Sequence, residues 1–177
     1  MRVITGIARG RKLVTLEGEE VVRPTTDRVK EAMFSIIQFD IPGKSVLDLF
    51  AGSGQLGIEA LSRGAEKAVF VDKSAEAFSV VKQNLKTCGL SDKATVINSD
   101  SFSFLRSTAE KFDIILIDPP YSRQMAETAL SLVDGVLKDG GIVMCETDYR
   151  EDLPEEVGDI KKIKEYKLSL IHISEPT

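Results

Sequence analysis

The sequence predicts an α/β fold with a doubly wound, mostly parallel sheet of seven strands, and three observations support this. Short apolar runs alternate with amphipathic segments of helical period, which is the pattern of strand–helix–strand units. A glycine-rich stretch, residues 52–57, separates the first strand of this series from its helix. Asp72 and Asp118 each end an apolar run, at the edge of the sheet where open α/β folds bind ligands.

The amino-terminal part of the chain is predicted to form a β-hairpin followed by a helix. Residues 2–7 and 11–16 alternate apolar and polar side chains, as the two arms of a hairpin do. Residues 24–26 begin the helix, and Asp27 in its first turn is favoured by the helix dipole. Its apolar face is formed by Val29, Met33, Ile36 and Ile37.

From residue 45 onwards strands and helices alternate. The predicted strands are residues 45–50, 67–72, 94–98, 112–118 and 142–145, with two final strands between residues 160 and 174. The predicted helices are residues 55–62, a segment capped by Ser74 and ended by Gly89, residues 102–109, and a segment that runs to Val136. We therefore expect one compact domain with an extension, residues 1–43, and a core, residues 44–177.

Charge is distributed unevenly along the chain. The net charge of −5 argues against a protein that coats nucleic acid nonspecifically, but residues 1–31 carry seven Arg or Lys and five Asp or Glu. Arg9, Arg11 and Lys12 form a cluster, and a phosphate-binding surface and an ordinary solvated surface explain it equally well.

Several classes of protein are disfavoured by composition. No apolar run is long enough to span a membrane and the amino terminus lacks a signal-peptide core, so we expect a cytoplasmic protein. Cys88 and Cys145 lie far apart and His172 has no obvious ligand partners, so we expect no metal.

The most informative residues are Asp118-Pro119-Pro120-Tyr121, directly after a buried strand. Two prolines stop the strand and stiffen the chain, and their carbonyls have no ladder partners. An acidic acceptor, rigid carbonyls and an aromatic ring can receive a flat group that bears an amino substituent, such as a nucleobase.

The glycine-rich stretch satisfies G-x-G-x-x-G, and Asp72 follows Gly52 by 20 residues, where it can accept both hydroxyls of a ribose. A nicotinamide dehydrogenase would show the same pattern. Asp48 within the first strand would repel a pyrophosphate but can hold the ammonium or sugar end of a methionine-bearing cofactor. Asp100 is placed to accept from an adenine amino group, with Phe102 stacking nearby. With the Asp-Pro-Pro-Tyr site, these residues favour S-adenosylmethionine over NAD.

Motif by motif, the chain resembles a known family. Residues 46–54 resemble motif I of class I methyltransferases, and residues 118–121 the motif of enzymes that methylate exocyclic amines of bases. Residues 4–13, 23–34 and 56–65 resemble the RsmD family, bacterial 16S rRNA guanine-N2 methyltransferases. Two features depart from that family: Gln55 stands where a small residue is expected, and the tail from Leu168 is unlike the usual closing strand.

The resemblance implies a Rossmann-like methyltransferase core, S-adenosylmethionine as cofactor, 16S rRNA in the small ribosomal subunit as partner, and a monomer. It implies catalytic roles for Asp118, Pro119, Pro120 and Tyr121. The expected cofactor-binding residues are Asp48, Phe50, Ala51, Gly52, Ser53, Gly54, Leu56, Asp72, Lys73, Asp100, Ser101 and Phe102. The expected RNA-binding residues are Arg9, Arg11, Lys12, Arg23, Thr25 and Arg28. A DNA adenine-N6 methyltransferase is the main alternative, although 177 residues leave no room for a target-recognition domain.

Overall fold

A computed structural model describes residues 1–17, 27–120, 123–147, 152–167 and 170–176. Within these ranges the chain forms a single sheet of eight strands with helices on both faces, which confirms the predicted α/β class. The sheet has one strand more than predicted, because a strand of only two residues precedes the final pair. No helix in the described part of the chain is long and apolar enough to cross a membrane.

The elements follow one another in the predicted alternation. The helices are α1 Asp27–Ile37, α2 Gln55–Ser62, α3 Ala75–Cys88, α4 Ser101–Ser107 and α5 Arg123–Val133. The strands are β1 Ser45–Leu49, β2 Lys67–Asp72, β3 Ala94–Asn98, β4 Phe112–Ile117, β5 Leu137–Thr147, β6 Glu156–Val157, β7 Ile160–Lys167 and β8 Leu170–Pro176.

The strand order is β3-β2-β1-β4-β5-β8-β7-β6. The first five strands in chain order pair in parallel, and β8, β7 and β6 add antiparallel strands beyond β5. The chain moves outward from β1 to β3 and then crosses back to β4 on the other side of β1. The topological switch point therefore lies between the carboxyl ends of β1 and β4, where sheets of this kind bind ligands.

The core consists of one apolar layer on each face of the sheet. Leu47 and Leu49 of β1 belong to the layer that α4 and α5 cover, whereas Val46 belongs to the layer under α1, α2 and α3. Side chains of a strand alternate between faces, so a strand covered on both sides is mostly apolar. This explains the composition of β1 and β4, in which the polar residues Ser45, Asp48 and Asp113 are hydrogen-bonded.

The predicted amino-terminal hairpin is only partly correct. One antiparallel bridge, between Arg2 and Lys12, joins its arms, and most of the residues between them form turns. The arms do not extend because helix side chains take their backbone donors: the Ile4 and Thr5 N–H groups donate to Glu59, and the Ala8 N–H donates to Ser62 Oγ. The predicted start of α1 at residues 24–26 lies outside the described residues.

Helix ends agree with the sequence at α3 and differ at α5. Ser74 Oγ accepts from the Ala77 N–H at 3.2 Å, and Gly89 follows α3 in the left-handed conformation, as predicted. Helix α5 ends at Val133 and a 3-10 turn, Asp134–Val136, continues to the predicted end. Strand β5 begins at Leu137, before the predicted residue 142, and includes an irregularity at Gly140-Gly141 where the pairing with β4 changes register.

Candidate active site

The sheet register places three predicted site residues side by side. Leu49 of β1 pairs with Val71 of β2 on one side and with Ile117 of β4 on the other. The next residues, Phe50, Asp72 and Asp118, are therefore neighbours at the carboxyl edge of the sheet. Adjacent strands lie about 4.8 Å apart, which puts the Cα atoms of Asp72 and Asp118 roughly 10 Å apart with Phe50 between them.

The turn after β1 depends on left-handed backbone conformations. Phe50, Gly52 and Gly54 have φ angles of 59°, 57° and 81°. Phe50 is the one non-glycine residue of the described part with a positive φ, a strained state that is found disproportionately at functional sites. The turn closes through a hydrogen bond from the Gly54 N–H to the Ala51 carbonyl at 2.8 Å, and Gly54 then caps α2.

The third glycine of the motif serves packing. A Cβ atom at Gly57 would lie 2.4 Å from Cε1 of the Phe70 ring, and Phe70 is fully buried in β2. Only glycine lets α2 approach the sheet this closely. The Gly57 N–H also donates to Asp48 Oδ2 at 2.9 Å.

Asp48 has a structural role through that hydrogen bond. Asp48 is 1% exposed, and it fixes the first turn of α2 against β1. Its burial favours this role, and its predicted contact with a cofactor stays a prediction.

Asp72 holds the glycine turn from the neighbouring strand. Its Oδ2 accepts from the Gly52 N–H and its Oδ1 from the Ser74 N–H, both at 2.9 Å. Each carboxylate oxygen can accept more than one hydrogen bond, so both can still receive a ribose hydroxyl. Asp72 thus shapes the turn and presents acceptors at the same edge, with Lys73 exposed beside it.

Asp100 has a role that the sequence analysis did not assign. Its Oδ2 accepts from the backbone N–H and the hydroxyl of Ser103, at 3.0 and 3.2 Å, so that it caps α4. Asp100 is exposed, and its Oδ1 makes no hydrogen bond to another described residue, which leaves an acceptor for the predicted adenine contact. Phe102 meets Phe50 edge to face with ring centroids 5.8 Å apart, so the ends of β1 and β3 are joined above β2.

The Asp-Pro-Pro residues follow β4 as the sequence predicts. Asp118 is half-buried, with its Oδ1 shielded from solvent, and Pro119 is buried. The strand ends at Ile117, one residue before the predicted bound. Tyr121 lies outside the described residues.

The structure describes four of the six predicted RNA-binding residues. Arg9, Arg11, Lys12 and Arg28 are exposed and make no ion pair with any described residue, whereas Arg23 and Thr25 lie outside the described ranges. The turn that carries Arg9 packs on Ser62, the last residue of α2. Because α2 runs away from the carboxyl edge, the structure does not bring Arg9 beside Asp118.

Sequence reasoning missed the residues that attach residues 1–14, here called the amino-terminal segment, to the core. Glu59 accepts from two of its backbone N–H groups and Ser62 anchors its turn. Asn84 of α3 is fully buried: it accepts from the Val14 N–H and donates to the carbonyls of Val14 and Ser53. Asn84 therefore links the segment directly to the glycine turn. In the sequence, the signal for these anchors is a polar side chain within the apolar face of α2 and of α3.

A buried ion pair lies under the same segment. Lys30 Nζ donates to the Arg2 carbonyl at 2.8 Å and lies 3.8 Å from Glu59 Oε2, and both side chains are fully buried. Burial lowers the pKa of Lys30 below its ordinary value, and the charge of Glu59 opposes that shift.

Gln55, noted as a departure in sequence, is unusual in structure as well. It is 6% exposed, and its Oε1 atom is buried without a hydrogen-bond partner among the described residues. A buried polar atom left in that state costs about 1–3 kcal/mol. Such an atom in a native protein calls for an explanation.

Comparison with known proteins adds independent findings. The family model described as Conserved hypothetical protein 95 matches residues 1–174. The YlbH protein of Bacillus subtilis is 45% identical over 165 residues, covering 90% of this chain and 89% of that protein. Ribosomal RNA small subunit methyltransferase D of Haemophilus influenzae is 41% identical over 158 residues, covering 86% of this chain and 81% of that protein. The solved structure of yhhF from Escherichia coli superposes with a TM-score of 0.87 at 31% identity, covering 99% of this chain and 97% of that chain.

Proposed function

Because the chain belongs to the RsmD family, described as Conserved hypothetical protein 95, we propose that it transfers a methyl group from S-adenosylmethionine to the exocyclic 2-amino group of a guanine in 16S rRNA. The observation that carries the proposal is the register at the switch point. It puts the Asp118-Pro119 acceptors next to the strained Phe50 turn, with that turn between them and Asp72.

The residues present fit the proposed cofactor. Asp72 and Asp100 offer carboxylate oxygens at the ends of β2 and β3, for a ribose and an adenine amino group. The glycine turn lets a ligand approach the backbone closely, and beside it the amide oxygen of Gln55 has no hydrogen-bond partner among the described residues. Acidic residues at the edge do not favour a pyrophosphate, which supports an adenosyl cofactor over NAD.

The strand order arranges these groups in a line. From β3 through β2 and β1 to β4, the edge presents Asp100, Asp72, the glycine turn and Asp118 in that sequence. The adenosine end would lie over β3 and β2, and the transferred group would lie near β1 and β4. The target amine at Asp118 then lies at the far end of the line from the adenine.

Asp118 and the Pro119 carbonyl can make a guanine amine more nucleophilic. The lone pair of that amine is delocalised into the ring, so it is a poor nucleophile. Hydrogen bonds from its two protons to these acceptors would pyramidalise the nitrogen and direct the lone pair outward. S-adenosylmethionine supplies an activated methyl group on a sulfonium. Positioning of this kind can lower a barrier by about 7–11 kcal/mol.

Asp118 can also take up the proton that the amine loses, directly or through water. The prolines keep the acceptor geometry rigid, because neither can rotate about φ. The guanine must be unpaired or extruded to reach Asp118, which costs a few kcal/mol in a duplex and less in a loop. The predicted stacking of Tyr121 on the base would offset about 1–3 kcal/mol of this cost.

The extension of residues 1–43 is proposed to contact the phosphates. Arg9, Arg11, Lys12 and Arg28 are exposed cations without ion pairs to described residues, in a chain whose net charge is −5. Because Arg9 lies away from the carboxyl edge, its contact would be with RNA remote from the methylated base. That geometry suits a large, folded substrate such as a ribosomal subunit.

Methyl transfer from tritiated S-adenosylmethionine tests the activity. Unmodified small-subunit particles, naked 16S rRNA and DNA are offered in parallel, and the labelled product is digested to nucleosides. The expected product is N2-methylguanosine from one of the two RNA substrates. Label in N6-methyladenine from DNA would instead support the alternative.

Asp118 is tested by replacing it with alanine. Asp118→Ala is expected to abolish methyl transfer and to leave S-adenosylmethionine binding within about twofold of wild type by calorimetry. The matched control is Asp92→Ala, an exposed aspartate next to β3 at the opposite end of the strands. Retained turnover in Asp118→Ala would refute the proposed polarisation of the amine.

Arg11 is tested through the salt dependence of RNA binding. Arg11→Ala is expected to weaken RNA binding and to reduce the slope of log affinity against log salt by about 1. Arg106→Ala removes an exposed arginine from α4 on the other face of the sheet and is expected to leave the slope unchanged. Equal slopes for wild type and Arg11→Ala would remove Arg11 from the phosphate contacts.

A further inference from the structure

We propose that the amide oxygen of Gln55 accepts a hydrogen bond from the α-ammonium group at the methionyl end of the cofactor, an inference that rests on the proposed function. Gln55 would then be a residue that selects for the amino-acid part of the ligand.

The state of the side chain is the first reason. Gln55 is 6% exposed, and its Oε1 has no hydrogen-bond partner in the described part of the chain. The last torsion of a glutamine is broad and roughly two-fold, so the amide can turn and exchange its oxygen and nitrogen positions at little cost. The group is thus held in place by burial, while its oxygen has no partner among the described residues.

The position of Gln55 is the second reason. Gln55 is the first residue of α2 and follows Gly54 directly, in the turn after β1. The acceptors for the ribose and the adenine are at the ends of β2 and β3, so the methionyl end falls over β1, where Gln55 lies. The proposed target amine is further along the same edge, at β4.

The supply of acceptors at this position is the third reason. A helix amino terminus offers backbone N–H donors, which suit the carboxylate of an amino acid. An ammonium needs acceptors instead. Asp48 is 1% exposed and accepts from the Gly57 N–H, and the acceptor capacity that Asp72 retains is already assigned to the ribose hydroxyls. The Gln55 amide oxygen is a neutral acceptor at this turn that no described residue uses.

Calorimetry with two ligands tests the inference. S-adenosylhomocysteine keeps the methionyl-type amino group, and its deaminated analogue keeps everything except that group. For each protein we compare the affinity for S-adenosylhomocysteine with the affinity for the deaminated analogue. This affinity ratio is expected to be about tenfold larger in wild type than in Gln55→Leu, which corresponds to about 1.4 kcal/mol. Gln55→Glu retains an acceptor at the same place and is expected to restore the preference.

Stability separates a binding role from a structural one. Leucine has nearly the size of glutamine without its polar atoms, so Gln55→Leu is expected to leave the ligand-free protein as stable as wild type or more stable. A structural role predicts a loss of stability and equal discrimination between the two ligands.

The outcomes distinguish the two proposals. Equal discrimination by wild type and Gln55→Leu, with S-adenosylhomocysteine still bound, would overturn the role of Gln55 alone. Failure of wild type to bind S-adenosylhomocysteine would overturn the proposed function and this role together. Loss of discrimination in Gln55→Leu with recovery in Gln55→Glu supports the inference.

Discussion

Replacing Gly57 by alanine is expected to destabilise the protein by about 2 kcal/mol, although alanine is the better helix former. The added Cβ would lie 2.4 Å from Cε1 and 2.7 Å from Cζ of the Phe70 ring, and 3.1 Å from Asp48 Oδ2. Cβ atoms essentially never approach other atoms closer than 3.0 Å. The ring is fully buried, so either α2 or the ring must move.

Two opposing effects set the magnitude. Overpacking a tight core costs about 1–3 kcal/mol, and so short a contact with a buried ring belongs at the upper end. Exchanging glycine for alanine within a helix contributes about 1 kcal/mol in the other direction. The difference is about 2 kcal/mol. Movement of α2 would also stretch the bond from the Gly57 N–H to Asp48, so the change should weaken cofactor binding as well.

Urea denaturation followed by circular dichroism measures this difference. The matched control is Gly135→Ala, because a Cβ there meets nothing within 4 Å and should raise stability by about 0.4–1 kcal/mol. Combining Gly57→Ala with Phe70→Leu removes the ring that the Cβ meets. The double variant should therefore be more stable, by about 1 kcal/mol, than the sum of the two single-variant changes in unfolding free energy predicts. If Gly57→Ala unfolds at the same urea concentration as Gly135→Ala, the packing argument is wrong.

Three further predictions concern polar groups held by hydrogen bonds or ion pairs. Glu59→Gln leaves the buried Lys30 ammonium without its counter-charge and should cost about 3–5 kcal/mol in urea denaturation. Asn84→Ala removes three hydrogen bonds of about 1 kcal/mol each and should cost about 3 kcal/mol by the same measurement. Asp113→Asn tests pH dependence: burial raises the pKa of Asp113, but hydrogen bonds from Ser45 and Lys138 outweigh it, so the folded pKa lies below 3.8. The carboxylate therefore stabilises the fold above that value, and the advantage of wild type over Asp113→Asn should vanish as pH falls through the folded pKa in acid titrations of stability.

The parallel strands were largely predictable because β1, β2 and β4 are buried on both faces. The four strands from Ser45–Leu49 to Phe112–Ile117 agree with the prediction to within a residue at each end, although the edge strand β3 is only partly buried. The apolar side chains of the buried strands follow from the two core layers, and Ser74 and Gly89 fixed the ends of α3. The carboxyl edge was also predictable, because the carboxyl ends of parallel strands lie together at one edge of the sheet.

Tertiary contacts decided what sequence patterns did not. The alternation in residues 2–7 and 11–16 predicts a longer hairpin than the structure has, because Glu59 and Ser62 compete for its backbone donors. Gly140 and Gly141 resemble a turn, and their place within a strand depends on pairing with β4. Asp100 directly precedes the helix that begins at Ser101, a position typical of a helix cap, and the structure shows this capping role.

The amino-terminal segment is synthesised well before the side chains that anchor it. The partner of Ile4 is 55 residues further along the chain, and that of Val14 is 70 residues further. Until Asn84 has been translated, these backbone groups hydrogen-bond to water and Lys30 stays solvated. Contacts of such sequence separation form late, since loop closure must precede them. The portion expected to meet ribosomal RNA is thus synthesised before its anchors and is among the last to become attached to the core.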